Sequence, residues 1–207
     1  MEARRWWWLV AIVAGLVLGP VDLWGQVSTP YPWAHLFNSP AVWAAAAFAY
    51  GRWLHHPLRS PLGAAVLLVV GVEAYYLADI LVRGASTSNV ASPTAMVWCV
   101  AGVVAGLVFG LAGTWSVELD GWRAVLGRAS LPAVLGAESV YVAGRVVTEP
   151  ADGRPDDLGA FAVLLAVLAA AILVALVRAC DRQVTIRVVA ITVVSTVAVG
   201  LGVGVAI

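Results

Sequence analysis

The sequence predicts an all-α integral membrane bundle of seven transmembrane helices, forming one domain over residues 1–207. Three observations point there. Apolar residues make up 62% of the chain and mean hydropathy is +0.92, an excess that marks membrane chains rather than soluble domains. The apolar residues gather into runs near the ~20 residues that a helix rising about 1.5 Å per residue needs to cross hydrocarbon. Charged residues fall mostly between those runs, and their signs divide unevenly between alternate loops.

The first run, Trp6–Leu23, follows Arg4 and Arg5 and opens WWWLVAIVAGLVLG. It is longer and more aromatic than a signal peptide, no small-x-small cleavage site follows it, and it is read as a retained helix. Pro40–Leu54 is the second and shortest segment. Leu62–Val82 and Pro93–Trp115 are the third and fourth. Val125–Val147, the fifth, is interrupted by Arg128 and Pro132. Leu158–Val177 and Val184–Ile207 complete the set. Seven crossings put Arg4, Arg5, Arg52, Arg59, Arg123, Arg128, Arg178, Arg182 and Arg187 on one side. Only Arg83, Arg145 and Arg154 fall on the other, beside Glu149, Asp152, Asp156 and Asp157. The positive-inside rule then places the N-terminus in the cytoplasm and the C-terminus outside, in a multi-pass cell-membrane protein. Trp6–Trp8, Trp24, Trp33 and Trp115 fall at run ends, as interfacial anchors do.

Two of the spans carry an acid in nearly the same words. Gly71–Val82 reads GVEAYYLADILV and Gly136–Val147 reads GAESVYVAGRVV, so a Gly, a Glu, a Tyr three places on, an Ala and a closing Val recur in register. NSPAVW (Asn38–Trp43) opens the second span and SPTAMVW (Ser92–Trp98) the fourth. Spans two and three therefore read as a loose parallel copy of spans four and five, which would set equivalent residues at equal depth. Chance similarity among small hydrophobic alphabets is the alternative.

A carboxylate at bilayer depth costs at least ~2.5–3.5 kcal/mol, so Glu73 and Glu138 are the leading functional candidates. Tyr76 and Asp79 follow Glu73 on one helical face, and Tyr141 and Arg145 follow Glu138 on another. Asp22 and Gln26 come from the outer end of the first span, and Asn38, Trp43 and Trp98 from the outer starts of the second and fourth. Together these define one expected outer-half cavity of carboxyls, tyrosines, amides and indoles. Acids in so dry a place are expected to hold their protons, and indole and phenol faces stabilise developing cations by ~0.5–2 kcal/mol each. That combination suits protonation-initiated cyclisation of a lipophilic, prenylated substrate. Glu73 or Glu138 would be the donor, with the other acid or Asp22 orienting it or taking the last proton. The remaining residues named would line the pocket.

The same inventory suits a small-solute or proton-coupled transport component. A plainer alternative has each Glu hydrogen-bonding to a neighbouring helix in a purely structural membrane partner. Asp79 paired with Arg83 one turn on, and Arg145 snorkelling to the headgroups, are the plain readings of those residues.

Other chemistry finds no residues. A net charge of zero argues against nucleic-acid partners. There is no lysine for a Schiff base, and His35, His55 and His56 all fall in predicted loops. His55 and His56, beside Arg52 and Arg59, read as a cytoplasmic patch meeting lipid headgroups. Cys99 and Cys180 read as inert thiols. Neither a metal-binding acid array nor any nucleotide, serine-hydrolase or zinc motif appears in plausible context, so no cofactor and no metal is expected.

The runs WAHLFNSPAVWAAAAFAYG, VEAYYLAD, VAGLVFGLAGTW and LGAESVYV, spread from the first span to the fifth, resemble a family of small actinobacterial membrane proteins of unknown function. In size and helix count the chain is also similar to the bacterial membrane-bound terpene cyclases of drimentine-type, meroterpenoid pathways. That resemblance implies protonation of an olefin or epoxide by a membrane-embedded acid, with Glu73 and Glu138 in the acid positions.

Overall fold

A computed structural model describes residues 6–148, 155–178 and 180–205; Arg4, Arg5, Glu149, Asp152 and Arg154 lie outside them, as does the side chain of Asp156. Among the described residues the chain is all α. The helices are α1 (Trp7–Ser28), α2 (Ala34–Phe37), α3 (Pro40–Leu54), α4 (Arg59–Arg83), α5 (Pro93–Trp115), α6 (Gly121–Thr148), α7 (Pro155–Val177) and α8 (Arg182–Val205), with a 3-10 turn at Thr87–Ala91. Each of the seven predicted segments is helical, and α2 is additional.

Five helices, α1, α4, α5, α7 and α8, are long and apolar enough to cross a membrane, which makes this a membrane protein. The other two predicted spans fail for different reasons. At 15 residues α3 reaches only roughly 22 Å. α6 has 28 residues but carries Arg123, Arg128, Glu138 and Arg145.

The chain forms two compact units. The first contains α1, α3, α4, the 3-10 turn and α5. In it α1 and α4 run parallel, because Gly15 lies against Leu67 and Val70, Gly19 against Gly71 and Tyr75, and Gln26 bonds to Tyr75. A Cβ at Gly19 would collide with the Gly71 carbonyl and the Tyr75 amide, so only glycine permits this approach. α3 runs the opposite way: Trp43 meets Asp22 near the end of α1, and the Tyr50 hydroxyl donates to the Trp7 carbonyl at its start, at 2.7 Å. α5 returns against α4, with Gly102 beside Leu68, Gly106 beside Ala65 and Gly110 beside Pro61. Ala11, Ala47, Tyr50, Leu54, Ala64, Leu67 and Leu68 form the core between these helices.

In the first unit two boundaries differ from expectation by three residues or more, and in the second α6 starts four residues and α7 three residues early. α1 continues past Leu23 to Ser28 and stops just before Pro30, whose ring disfavours helical backbone at the preceding residue. α4 starts at Arg59, three residues early. His56 Nδ1 accepts the amides of Leu58 and Arg59, and the His56 amide donates to Ser60 Oγ, satisfying groups the first turn leaves open. His56 is thus a helix-start cap.

The second unit contains most of α2 with α6, α7 and α8. α6 and α8 are parallel, since Val125 and Ala129 pack on Val184 and Val188, Thr196 donates to the Ala133 carbonyl, and Gly200 lies against Ala137 and Val140. α7 is antiparallel to α6, with Ser139 donating to the Ala162 carbonyl at 2.7 Å and Leu173 packing near Val125 and Ala129. Arg128 and Pro132 do not interrupt α6. The Arg128 side chain is 9% exposed and donates to the carbonyls of Ser116, Glu118 and Leu119, so backbone dipoles replace water around it.

Candidate functional site

The packing of the first unit builds a site at one of its ends. On α1, Gly15, Gly19, Asp22 and Gln26 are spaced four, three and four residues apart, so the stripe that lets α1 approach α4 also turns Asp22 and Gln26 inward. Ser39 caps α3 by accepting the Val42 amide, and Pro40 occupies the first turn, where its missing N–H costs nothing. That start puts Trp43 one turn in. Its ring lies over Gly71, where a Cβ would stand 3.0 Å away.

Between these helices lies a cavity of about 230 Å³. α1 contributes Asp22 and Gln26. Asn38, Ser39, Pro40 and Trp43 come from the start of α3 and the residues before it. Leu68, Val72, Tyr75 and Tyr76 come from α4, and Trp98, Ala101, Gly102 and Ala105 from α5. All belong to the first unit. The site lies at the end away from Arg52 and Arg59, which sit where α3 finishes and α4 begins.

Asp22 organises the polar groups. It is 5% exposed, its Oδ2 accepts from Gln26 Nε2 at 2.9 Å, and its Oδ1 accepts from the Trp43 indole at 3.1 Å. Gln26 Oε1 in turn accepts from the Tyr75 hydroxyl at 3.4 Å, and Gln26 Nε2 also reaches the Phe37 carbonyl at 3.5 Å. The result is a hydrogen-bonded chain, Tyr75–Gln26–Asp22–Trp43, in which the groups that meet the Asp22 carboxyl carry no charge. The Tyr75 and Tyr76 rings meet edge to face at 5.6 Å.

Of the residues singled out in the sequence, Asp22, Gln26, Asn38, Trp43, Tyr76 and Trp98 line this cavity. Glu73 is not among the lining residues; half-buried, it accepts from Cys99 Sγ on α5 at 3.3 Å. Asp79 is buried and ion-paired with Arg83 at 2.7 Å. Glu138 and Tyr141 are half-buried on α6, in the second unit. The two halves of the Glu-Tyr similarity therefore fall in different units, spans two to four in the first and span five in the second.

Sequence reasoning missed Tyr75, although its place four residues after Gly71 put it on the face that meets α1. It also gave Cys99 no partner. Among the described residues no three of His, Cys, Asp and Glu are grouped as a metal site would require.

The chain belongs to the DUF6518 family. The family model, described as one of unknown function, matches residues 2–206. No curated protein and no solved structure matches the chain. Among its described residues, the first unit of this DUF6518 member carries a cavity in which a buried carboxyl stands beside aromatic walls.

Proposed function

We propose that this DUF6518 protein crosses the cell membrane seven times with its N-terminus in the cytoplasm, and transfers a proton from Asp22 to a lipophilic ligand in the outer half. Parallel packing supports the crossings. If α1 and α4 both cross in the same direction, α3 must bring the chain back between them, short as it is; α6, packed along α7 and α8, crosses with them. The distribution of arginines then sets the Asp22 end outside.

The reaction this site fits best is protonation-initiated cyclisation of a prenylated substrate. The observation that carries it is Asp22: among the described acids it alone lines the cavity, and its partners are neutral. It therefore displaces Glu73 and Glu138 as the leading acid. In the step, the Asp22 O–H bond breaks and a C–H bond forms at the less substituted olefin carbon, leaving a tertiary cation. The next double bond supplies the pair that closes the ring. Loss of a neighbouring proton to the Asp22 carboxylate restores an olefin and the acid, so the product has the mass of the substrate. Trp43, Tyr75, Tyr76 and Trp98 surround the cation.

A second reading, a proton-coupled carrier of a small solute, is favoured by the Tyr75–Gln26–Asp22 chain. Turning the Gln26 amide over exchanges donor and acceptor, so the chain keeps its bonds with Asp22 charged or neutral. A cavity of about 230 Å³ is also below the ~300–1,000 Å³ usual for drug-sized ligands.

The test is Asp22→Asn in membranes given farnesylated and geranylgeranylated substrates. Cyclised products of unchanged mass should form with wild type and fall at least ~10²-fold in the variant, the lower range of general-acid effects. Wild-type membranes that yield no cyclised product from a broad prenyl panel reject the cyclase. pH-dependent solute uptake that Asp22→Asn abolishes would then establish the carrier.

A further inference from the structure

Two acids are buried in the first unit, and the chain treats them differently. Asp79 is 8% exposed and has its counter-cation built in, with Arg83 Nε 2.7 Å from Oδ1. Asp22 is 5% exposed, and neither of its oxygens meets a cation among the described residues; an amide and an indole hold it instead. Those two donors occupy one position on each oxygen and bring no charge. Among the described residues, the cavity wall that Asp22 helps to form contains no arginine or histidine, and its aromatic side chains are Trp43, Tyr75, Tyr76 and Trp98.

From this we infer that the cavity is a binding site for a small organic cation of the ammonium type, whose charge does for Asp22 what Arg83 does for Asp79. The chemistry discriminates among cations. A strongly hydrated metal ion needs several oxygen ligands to replace its water; the single carboxyl here is already bonded to Gln26 and Trp43, and the other side-chain oxygens of the wall, from Gln26, Asn38, Ser39, Tyr75 and Tyr76, carry no charge. An alkylammonium is weakly hydrated, and its methyl or methylene groups match aromatic faces, where each ring contributes through its quadrupole. A neutral ligand of the same shape would gain the apolar contacts but neither the ion pair nor the cation–π attraction. The inference rests on the pocket proposed above but not on turnover: the cation formed by proton transfer and a permanent ammonium meet the same carboxylate and rings.

The experiment uses the full chain purified in a maltoside detergent, since phosphatidylcholine would itself supply a quaternary ammonium. Choline is titrated against 3,3-dimethylbutan-1-ol, which has the same shape without the charge, and affinity is read by calorimetry and tryptophan fluorescence. Choline should bind at least ~10-fold more tightly than the alcohol, the size expected from one or two cation–π contacts alone. Asp22→Asn should bring the two ligands within a few-fold of one another. Trp98 is 47% exposed, so Trp98→Ala removes a wall without emptying the core and should weaken choline more than the alcohol.

Equal binding of both ligands, binding of neither, or a choline preference that survives both substitutions would overturn the inference. Choline binding without any cyclised product sinks the cyclase and leaves this site standing; cyclisation without choline binding does the reverse.

Discussion

At the scale of single residues, burial alone does not separate an acid that faces a cavity from one held in an ion pair; the partner does. Asp79 and Asp22 have nearly equal exposure, yet Asp79 is neutralised by its own helix one turn away, whereas Asp22 faces a cavity. Glu73, with its Cys99 thiol, sits between these cases, a carboxyl satisfied by a neighbouring helix. Outside the spans, His35 offers a titration that the fold has altered. Its ring lies 4.8 Å from that of Tyr31 and 5.2 Å from that of Phe161. Burial lowers its pKa, the Arg145 charge adds to that, and Asp157 opposes them. An NMR titration of the labelled imidazole should therefore give a midpoint below the unperturbed value of ~6.5. An unfolded chain binds this proton more readily, so the contribution to stability is whole above ~6.5 and is lost as pH falls through the lowered folded value. A midpoint at or above ~6.5 would mean that the Tyr31–His35–Phe161 stack does not exclude water.

At the scale of elements, small residues decide which helices can touch. A Cβ at Gly106 would collide with the backbone of Ala65, so Gly106→Ala should destabilise the first unit by ~1–3 kcal/mol, the usual cost of overpacking. Gly144, on α6, has nothing within 4 Å of where its Cβ would stand, and Gly144→Ala should stabilise by ~0.4–1 kcal/mol through the unfolded chain. Thermal unfolding in detergent should move the two variants in opposite directions, and a shared direction would reject the packing described. These contacts also explain how far the elements were legible. Helix positions followed from runs of apolar residues, because in a membrane every backbone group must bond within its own helix. The partners of each helix did not follow, since Gly71 and Gly136 sit in matching words yet face Trp43 and Thr196. Matching letters carry no record of which helix packs opposite. Six lining residues of the cavity were still foreseen, because they are polar or aromatic groups near the ends of spans, where depth can be read from sequence. Tyr75 was overlooked in favour of Tyr76, since the choice between adjacent positions depends on which face meets α1.

At the scale of the whole molecule, the number of crossings depends on helix direction more than on hydropathy. α3 is too short and α6 too polar along its length, so hydropathy alone counts five spans. Within the first unit, however, α1 and α4 point the same way and α3 points back, as the Trp43–Asp22 and Tyr50–Trp7 hydrogen bonds require. A chain in which α3 stayed at one surface would force α4 to cross in the direction opposite to α1, and the parallel contacts along Gly15 and Gly19 would be impossible. Trp8 and Trp53 are exposed at one end of this unit and Trp24 and Trp98 at the other, the two interfacial belts expected of a crossing bundle. Reporters of compartment placed after His56, after Ala85 and after Ile207 test this directly. Seven crossings with the N-terminus inside predict cytoplasm at the first site and the outside at the other two. With a further reporter ahead of Trp6 reading the cytoplasm, an outside reading after His56 and cytoplasmic readings after Ala85 and Ile207 would remove α3 as a crossing and with it the parallel α1–α4 pair. The same three readings with the N-terminal reporter outside would leave the bundle intact but inverted. The Asp22 cavity would then open toward the cytoplasmic leaflet, where a ligand would have to come from inside the cell.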